Sequence, residues 1–205
     1  MNNNITIINY GMGNIKSISN AISILGYKHI ITNNPYDVKK SKIIFLPGVG
    51  AFGEAIKNLK KLGLISVIKN HSKTNKPIFG ICLGMQILLS ESEENGFHKG
   101  LDLIPGKVVK IITNKKNKLP HVGWNNVYFT GKTFLFKNIK NKTNFYFDHS
   151  YETVLEKKYI TSYFKYNRSI VSSISKDNIF GTQFHPEKSD YSGLNLIKNF
   201  LSKYA

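Results

Sequence analysis

Three times in its first 90 residues the chain passes from an apolar, largely β-branched run through a turn containing glycine or cysteine into apolar residues at helical spacing. Ile5-Thr6-Ile7-Ile8-Asn9 runs through Tyr10-Gly11-Met12-Gly13 into Ile15, Ile18, Ile22 and Leu25. Lys42 to Leu46 is closed by Pro47-Gly48-Val49-Gly50 and followed by a helical pattern through Ala55, Ile56, Leu59, Leu62 and Ile65. Pro77 to Ile81 ends at Cys82, with Met85, Leu88 and Leu89 marking the next helix. This repetition predicts an α/β fold, doubly wound and mainly parallel, with helices on both faces and the turns gathered at the C-terminal edge of the sheet.

Beyond Gly100 the pattern changes to short strands, expected at 107–112, 125–129, 145–147, 160–166, 170–175 and 179–184. The C-terminal half is therefore β-rich, and 189–204, with Leu194, Ile197, Phe200 and Leu201 on one face, reads as a closing helix. The Lys/Asn-rich stretches 113–118 and 137–144 read as surface loops. A length of 205 residues suits one domain, 1–205. No apolar run approaches the roughly 20 residues needed to span a bilayer. The start, MNNNITIINYG, lacks the pattern of a signal peptide, so a soluble cytoplasmic protein without membrane contact is expected.

The formal charge of +17 invites a nucleic-acid reading, because basic side chains neutralise phosphates. The kind of basic residue argues against it. Of 29 basic residues only Arg168 is an arginine, whereas bidentate recognition of phosphate and guanine favours Arg. The lysines lie scattered among Asn and Ile on stretches that read as solvated faces, with no interleaved aromatic stripe. No nucleic-acid partner follows. The single cysteine excludes an internal disulfide and a cysteine-based zinc site, leaving a buried thiol or a nucleophile.

In Gly80-Ile81-Cys82-Leu83-Gly84 that cysteine stands at a strand-to-helix junction with a glycine two residues away on each side. Such symmetry suits a nucleophile elbow, in which a strained backbone turns sharply without side-chain collisions. A following helix N-terminus favours thiolate over thiol, and the Leu83 N–H can face a developing oxyanion. A buried core thiol is the ordinary alternative. A thiolate needs a base, and His185 in Gln183-Phe184-His185-Pro186-Glu187 is the best of six histidines. Pro186 fixes the turn so that Glu187 can orient the imidazole, although an exposed turn would read the same way. Pro47-Gly48-Val49-Gly50 leaves a neighbouring predicted strand and can supply a second oxyanion donor; its glycines let a peptide reorient. A simple turn or a phosphate loop is the alternative there, but no Gly-Lys-Ser/Thr follows.

Gly80 to Gln86, Pro47 to Gly50 and His185-Pro186-Glu187 together resemble class I, triad-type glutamine amidotransferases. Asn9 to Asn14, Leu46 to Phe52, Pro120-His121-Val122-Gly123-Trp124-Asn125, Tyr146 to Tyr151 and Phe184 to Ser189 resemble, more narrowly, the glutaminase subunits of imidazole glycerol phosphate synthase. The resemblance implies a flavodoxin-like glutaminase acting on L-glutamine without cofactor or metal, paired as a heterodimer with a (β/α)8-barrel cyclase in histidine biosynthesis. Cys82 would then be the nucleophile, His185 the acid and base, and Glu187 its orienting group. Val49 and Leu83 would form the oxyanion hole, and Gly50, Gln86, Glu94 and the backbone near Ser150 would hold glutamine. Asn14, Trp124, Tyr146 and Lys188 match positions that face the barrel.

Two positions depart from that pattern: Asn9 stands where Asp is common, and Asp148 where an apolar residue is usual. Two other functions remain open. A paralogous glutaminase would feed another acceptor, such as an acetamidino-sugar precursor. A non-catalytic flavodoxin-like subunit would only bind and regulate a partner.

Overall fold

The repeats build the parallel half of a nine-stranded sheet. The structure, a computed structural model, describes residues 5–114, 117–131 and 133–205, so part of the predicted 113–118 loop lies outside the described residues. β1 (Ile5–Ile8), β2 (Ile30–Thr32), β3 (Ile43–Gly48), β4 (Ile78–Cys82) and β13 (Ile179–Thr182) run parallel in the order β2-β1-β3-β4-β13. The sheet continues antiparallel through β12 (Ser169–Lys176), β11 (Ile160–Lys165), β8 (His121–Phe129) and β9 (Thr143–His149). A second sheet takes the order β10-β7-β5-β6, from β5 (Leu89–Ser92), β6 (His98–Lys99), β7 (Ile104–Lys110) and β10 (Tyr151–Leu155).

Both faces of the parallel half are covered, which is why its strands read as continuous apolar runs. Along β3, Ile43 and Phe45 enter one core, while Ile44 and Leu46 enter the other. The first core also holds Phe79, Phe147 and Phe184, and α6 (Asp190–Tyr204) closes it through Phe200, whose ring centroid lies 4.8 Å from that of Phe79. A buried aromatic of this kind contributes about 1.5–3 kcal/mol. α3 (Phe52–Lys61) and α4 (Leu64–Ser72) cover the second core through Leu59, Leu64 and Ile68.

Local chemistry explains where the elements differ from expectation. The pattern from Ala55 to Ile65 predicted one helix, but Gly63 adopts φ +68° and divides it into α3 and α4. The short β2 and α2 (Pro35–Lys40) were not foreseen; Asn34 caps α2 by accepting the Tyr36 N–H, with Pro35 in the first turn. The helix expected through Leu88 and Leu89 is a single turn, α5 (Leu83–Gln86), because Leu89 already belongs to β5. In the second half, β7 ends at Lys110 rather than at residue 112, β8 and β9 are longer than predicted, and Gln183 and Phe184 lie beyond β13. Residues 143 and 144, expected in a loop, begin β9. No helix among the described residues is long and apolar enough to cross a membrane.

Candidate active site

Parallel strands bring three loops to one edge: Val49-Gly50 after β3, Leu83 after β4, and Gln183 to Lys188 after β13. At the end of β4, Cys82 adopts φ +54° and ψ −112°, a conformation that costs an L-residue about 1–3 kcal/mol. Close packing on both sides holds the turn. A Cβ on Gly84 would stand 1.7 Å from the Leu46 carbonyl oxygen, and one on Gly80 would stand 2.6 Å from the Gly84 carbonyl oxygen. Gly84 therefore lets the cysteine turn pack directly onto β3, and Gly80 lets the turn fold back over the end of β4. Cys82 is 5% exposed. With α5 only one turn long, the helix-dipole support expected for a thiolate shrinks to the few free N–H groups of that turn.

His185 and Glu187 flank Pro186, and His185 Nδ1 lies 2.8 Å from Glu187 Oε1 with both side chains buried. The loop is anchored to β9 by three bonds. His185 N–H donates to the Tyr146 carbonyl at 2.8 Å, Tyr146 N–H donates to Ser189 Oγ at 3.0 Å, and Ser189 Oγ donates to the His185 carbonyl at 2.6 Å. Burial pulls the His185 pKa down, but the charge and hydrogen-bonding capacity of the Cys82 sulfur, followed by those of Glu187, raise it to about 10. Nε2 is buried and has no partner in hydrogen-bond geometry among the described residues. Glu187 orients the ring, and the neighbouring carboxylate and cysteine sulfur both favour its protonated form.

Beside Cys82 lies a cavity of about 290 Å³ lined by Val49, Gly50, Leu83, Gln86, Glu94 and Ser150, so every expected oxyanion and glutamine-binding residue meets at one pocket. Pro120, Asp148, His149 and Tyr151 complete its lining, and the Cys82 thiol points at the Asp148 carbonyl, 3.7 Å away. Glu94 Oε2 accepts the Phe52 N–H at 2.7 Å, capping α3. Asn9 accepts the Gly11 N–H through its side-chain oxygen, a bond that Asp would make equally well, so this departure from the pattern leaves the turn intact. Among the described residues no group of three His, Cys, Asp or Glu is placed to hold a metal ion.

Three features escaped sequence reasoning. Tyr10 is 2% exposed with an unpaired hydroxyl 2.3 Å from where a Gly48 Cβ would stand, so the β1 loop packs beneath the Pro47–Gly50 loop. Gln183 is fully buried between Gln86 and Cys82. His121 and His149 form a buried pair, with His149 Nδ1 donating to the Tyr151 carbonyl at 2.7 Å, which ties down the Ser150 segment. The glycine flanks and the His-Pro-Glu spacing are local signals. These three residues or pairs become functional neighbours only through the sheet.

On the outer side of the His185 loop, Trp124 is 49% exposed. Its ring meets Tyr146 edge-on at 6.1 Å, and Lys188 Nζ sits 5.4 Å from the Tyr146 ring centroid. Asn14 caps α1 (Ile15–Ile24), a helix that touches the 186–188 turn. Trp124, Tyr146 and Lys188 thus form one cluster next to His185, and Asn14 stands at the start of a helix that touches the same turn.

The family model for class-I glutamine amidotransferases matches residues 6–204. The chain is 46% identical to imidazole glycerol phosphate synthase subunit HisH 2 of Methanococcus maripaludis, covering 97% of this chain and 99% of that protein. It is 42% identical to subunit HisH of Aquifex aeolicus, covering 96% and 95%. A solved structure described as a glutamine amidotransferase superposes with a TM-score of 0.76 over 97% of each chain at 14% identity. PurLQS from Thermotoga maritima superposes with a TM-score of 0.73 over the full length of both chains at 16% identity; both structures bear on the fold alone. With the family model spanning nearly the whole chain and relatives at this identity over nearly their whole length, the chain belongs to the class-I glutamine amidotransferases.

Proposed function

We propose that the chain is a glutaminase subunit that hydrolyses L-glutamine to glutamate and ammonia through a Cys82 thioester. It delivers the ammonia to the (β/α)8-barrel cyclase of an imidazole glycerol phosphate synthase, in the cytoplasm. The observation that carries the chemistry is the strained Cys82 elbow, which opens onto a pocket of substrate size and has the buried His185–Glu187 pair near enough to feel the charge of its sulfur. The full-length similarity to HisH subunits supports the choice of acceptor.

Gly50, Gln86, Glu94 and the backbone around Ser150 hold glutamine so that its side-chain carboxamide carbon meets the sulfur. Cys82 thiolate attacks that carbon, and the C=O electron pair moves onto oxygen, where the N–H groups of Val49 and Leu83 receive the charge. Collapse of the tetrahedral species breaks the C–N bond as the His185 imidazolium protonates the leaving nitrogen, releasing ammonia and leaving the thioester. Neutral His185 then takes a proton from water as the water attacks the thioester. The sulfur departs as thiolate, glutamate forms, and the imidazolium is restored. Glu187 holds the ring in register through both steps. Asn14, Trp124, Tyr146 and Lys188 present the docking face, so that ammonia leaves beside His185 toward the barrel.

A histidine auxotroph lacking this subunit tests reaction and acceptor together. Wild type should restore growth, and the purified chain should release glutamate faster with the liganded cyclase than alone, whereas Cys82→Ala should do neither. Active glutaminase without rescue would move the ammonia to another acceptor; no glutamate release in the presence of the cyclase would overturn the reading.

A further inference from the structure

Gln86 Nε2 lies 3.1 Å from the Tyr151 carbonyl oxygen and 3.0 Å from Gln183 Oε1, and Gln183 Nε2 lies 3.7 Å from Cys82 Sγ. A backbone carbonyl can only accept, so the Tyr151 oxygen requires the amino end of Gln86. The hydrogens of that amino group are then committed to Tyr151 and Gln183, which fixes Gln183 with its oxygen toward Gln86. The Gln183 amino group is thereby left pointing at the sulfur. The polarity of the whole chain is set from its backbone end, independently of how either amide would be assigned alone. Gln183 is fully buried and its backbone N–H is bound to the Ser172 carbonyl at 2.8 Å, so its side chain lies where β13 and β12 hold it. Gln86, 5% exposed, lines the pocket with its oxygen as the only hydrogen-bonding atom not committed to the protein.

We infer that Gln183 is a positioning residue with two outputs: it directs an N–H donor at the Cys82 sulfur, and it orients the Gln86 carbonyl oxygen into the pocket as an acceptor for the ammonium group of the amino-acid substrate. A donor aimed at sulfur favours thiolate over thiol. This role compensates for the short α5, whose single turn supplies little dipole. The substrate half of the inference rests on the glutaminase reading above; the sulfur half does not.

Because Cys82 is the sole cysteine, the rate of its alkylation by iodoacetamide across pH reads thiolate formation directly, without any turnover. Two variants separate the outputs. Gln183→Leu removes both, and should raise the alkylation midpoint by about one pH unit and the KM for glutamine by about tenfold in the cyclase complex. Gln183→Glu keeps an acceptor for Gln86 but places negative charge beside the sulfur. It should raise the midpoint at least as far while leaving KM within about threefold of wild type. A residue that merely filled space would alter melting temperature and leave both readouts of Gln183→Leu unchanged, so a midpoint within about 0.3 units of wild type for the folded Leu variant would overturn the sulfur role. A KM unchanged in Gln183→Leu would overturn the substrate role. If Gln183→Leu does not fold, the near-isosteric Gln183→Met, which also lacks an N–H donor and adds no charge, decides the midpoint. A complex that hydrolyses no glutamine would sink the functional reading while leaving the alkylation result to stand.

Discussion

Replacing Gly84 with alanine tests whether the seating of the cysteine turn on β3 governs the chemistry. The new Cβ would lie 1.7 Å from the Leu46 carbonyl oxygen, 2.8 Å from its carbon and 3.3 Å from the Pro47 carbonyl carbon, all backbone atoms. No flexible side chain can yield, so the turn and β3 must separate by roughly 1.3 Å before the closest contact reaches the 3.0 Å that real Cβ atoms respect. Overpacking of this kind costs about 1–3 kcal/mol of stability. The same movement separates Leu83 from the Pro47–Gly50 loop, pulling the two proposed oxyanion donors apart. Misplacement by about 1 Å at a reacting centre lowers rate about 100-fold, equivalent to about 2.7 kcal/mol of barrier. Glutamate release by the reconstituted cyclase complex measures the rate, and urea unfolding measures the stability. Gly26→Ala is the control: its Cβ meets nothing within 4 Å, but φ is +82°, so it carries backbone strain without the clash. That variant should lose about 1 kcal/mol and keep its activity. A folded Gly84→Ala enzyme retaining more than about a third of wild-type kcat/KM, a loss under about 0.7 kcal/mol, would refute the argument.

Burial holds His121 near 4 and His149 near 3, and burial followed by the charge of Lys76 holds His71 near 4. The unfolded chain protonates all three near pH 6.5. Between about pH 6.5 and 4 the unfolded state binds more protons, so stability present above 6.5 is lost as pH falls, with a slope approaching about 4 kcal/mol per pH unit. His121→Asn should remove about a third of that slope in urea melts taken from pH 6.5 to 4.5; an unchanged slope contradicts the assignment of a neutral, buried His121. At the proposed docking face, Trp124→Ala should leave folding stability within about 1 kcal/mol because the ring is half exposed. It should weaken cyclase binding about 30-fold, a loss of about 2 kcal/mol. Calorimetric titration giving wild-type affinity would remove Trp124 from the interface.

What the sequence discloses follows the range of its signals. The Cys82 elbow, the His185–Glu187 spacing and the strand–turn–helix repeats each lie within about two dozen residues, and the parallel-sheet rule places their loops at one edge. The split at Gly63 was missed because the apolar spacing continues from Leu62 into Ile65 across a glycine, which a helix tolerates at a cost of about 1 kcal/mol. Leu88 and Leu89 misled for a related reason: two adjacent apolar residues fit a helix face and a buried strand equally well. Asn34-Pro35 did carry a helix-start signal, but its six-residue helix has only Val38 buried, too little to show a period. Gln183 reads as a polar residue at a strand end. Its role depends on Gln86, nearly a hundred positions away in sequence, and no local pattern encodes that.

The position of β13 has a consequence for the order in which the chain is made. This strand is the last in sequence, yet it sits in the middle of the nine-stranded sheet, between β4 and β12, and leads directly into Gln183, His185 and Glu187. A nascent chain that has extruded Cys82 still lacks the imidazole and the carboxylate of the proposed triad, and the edge of β4 that β13 pairs with in the finished sheet has no partner yet. The proposed triad forms only once nearly all of the chain has been synthesised and β13 has inserted. Chains cut short before residue 179 cannot assemble the site. They present instead an unpaired central strand, the kind of edge that recruits other strands and marks a failed product for removal.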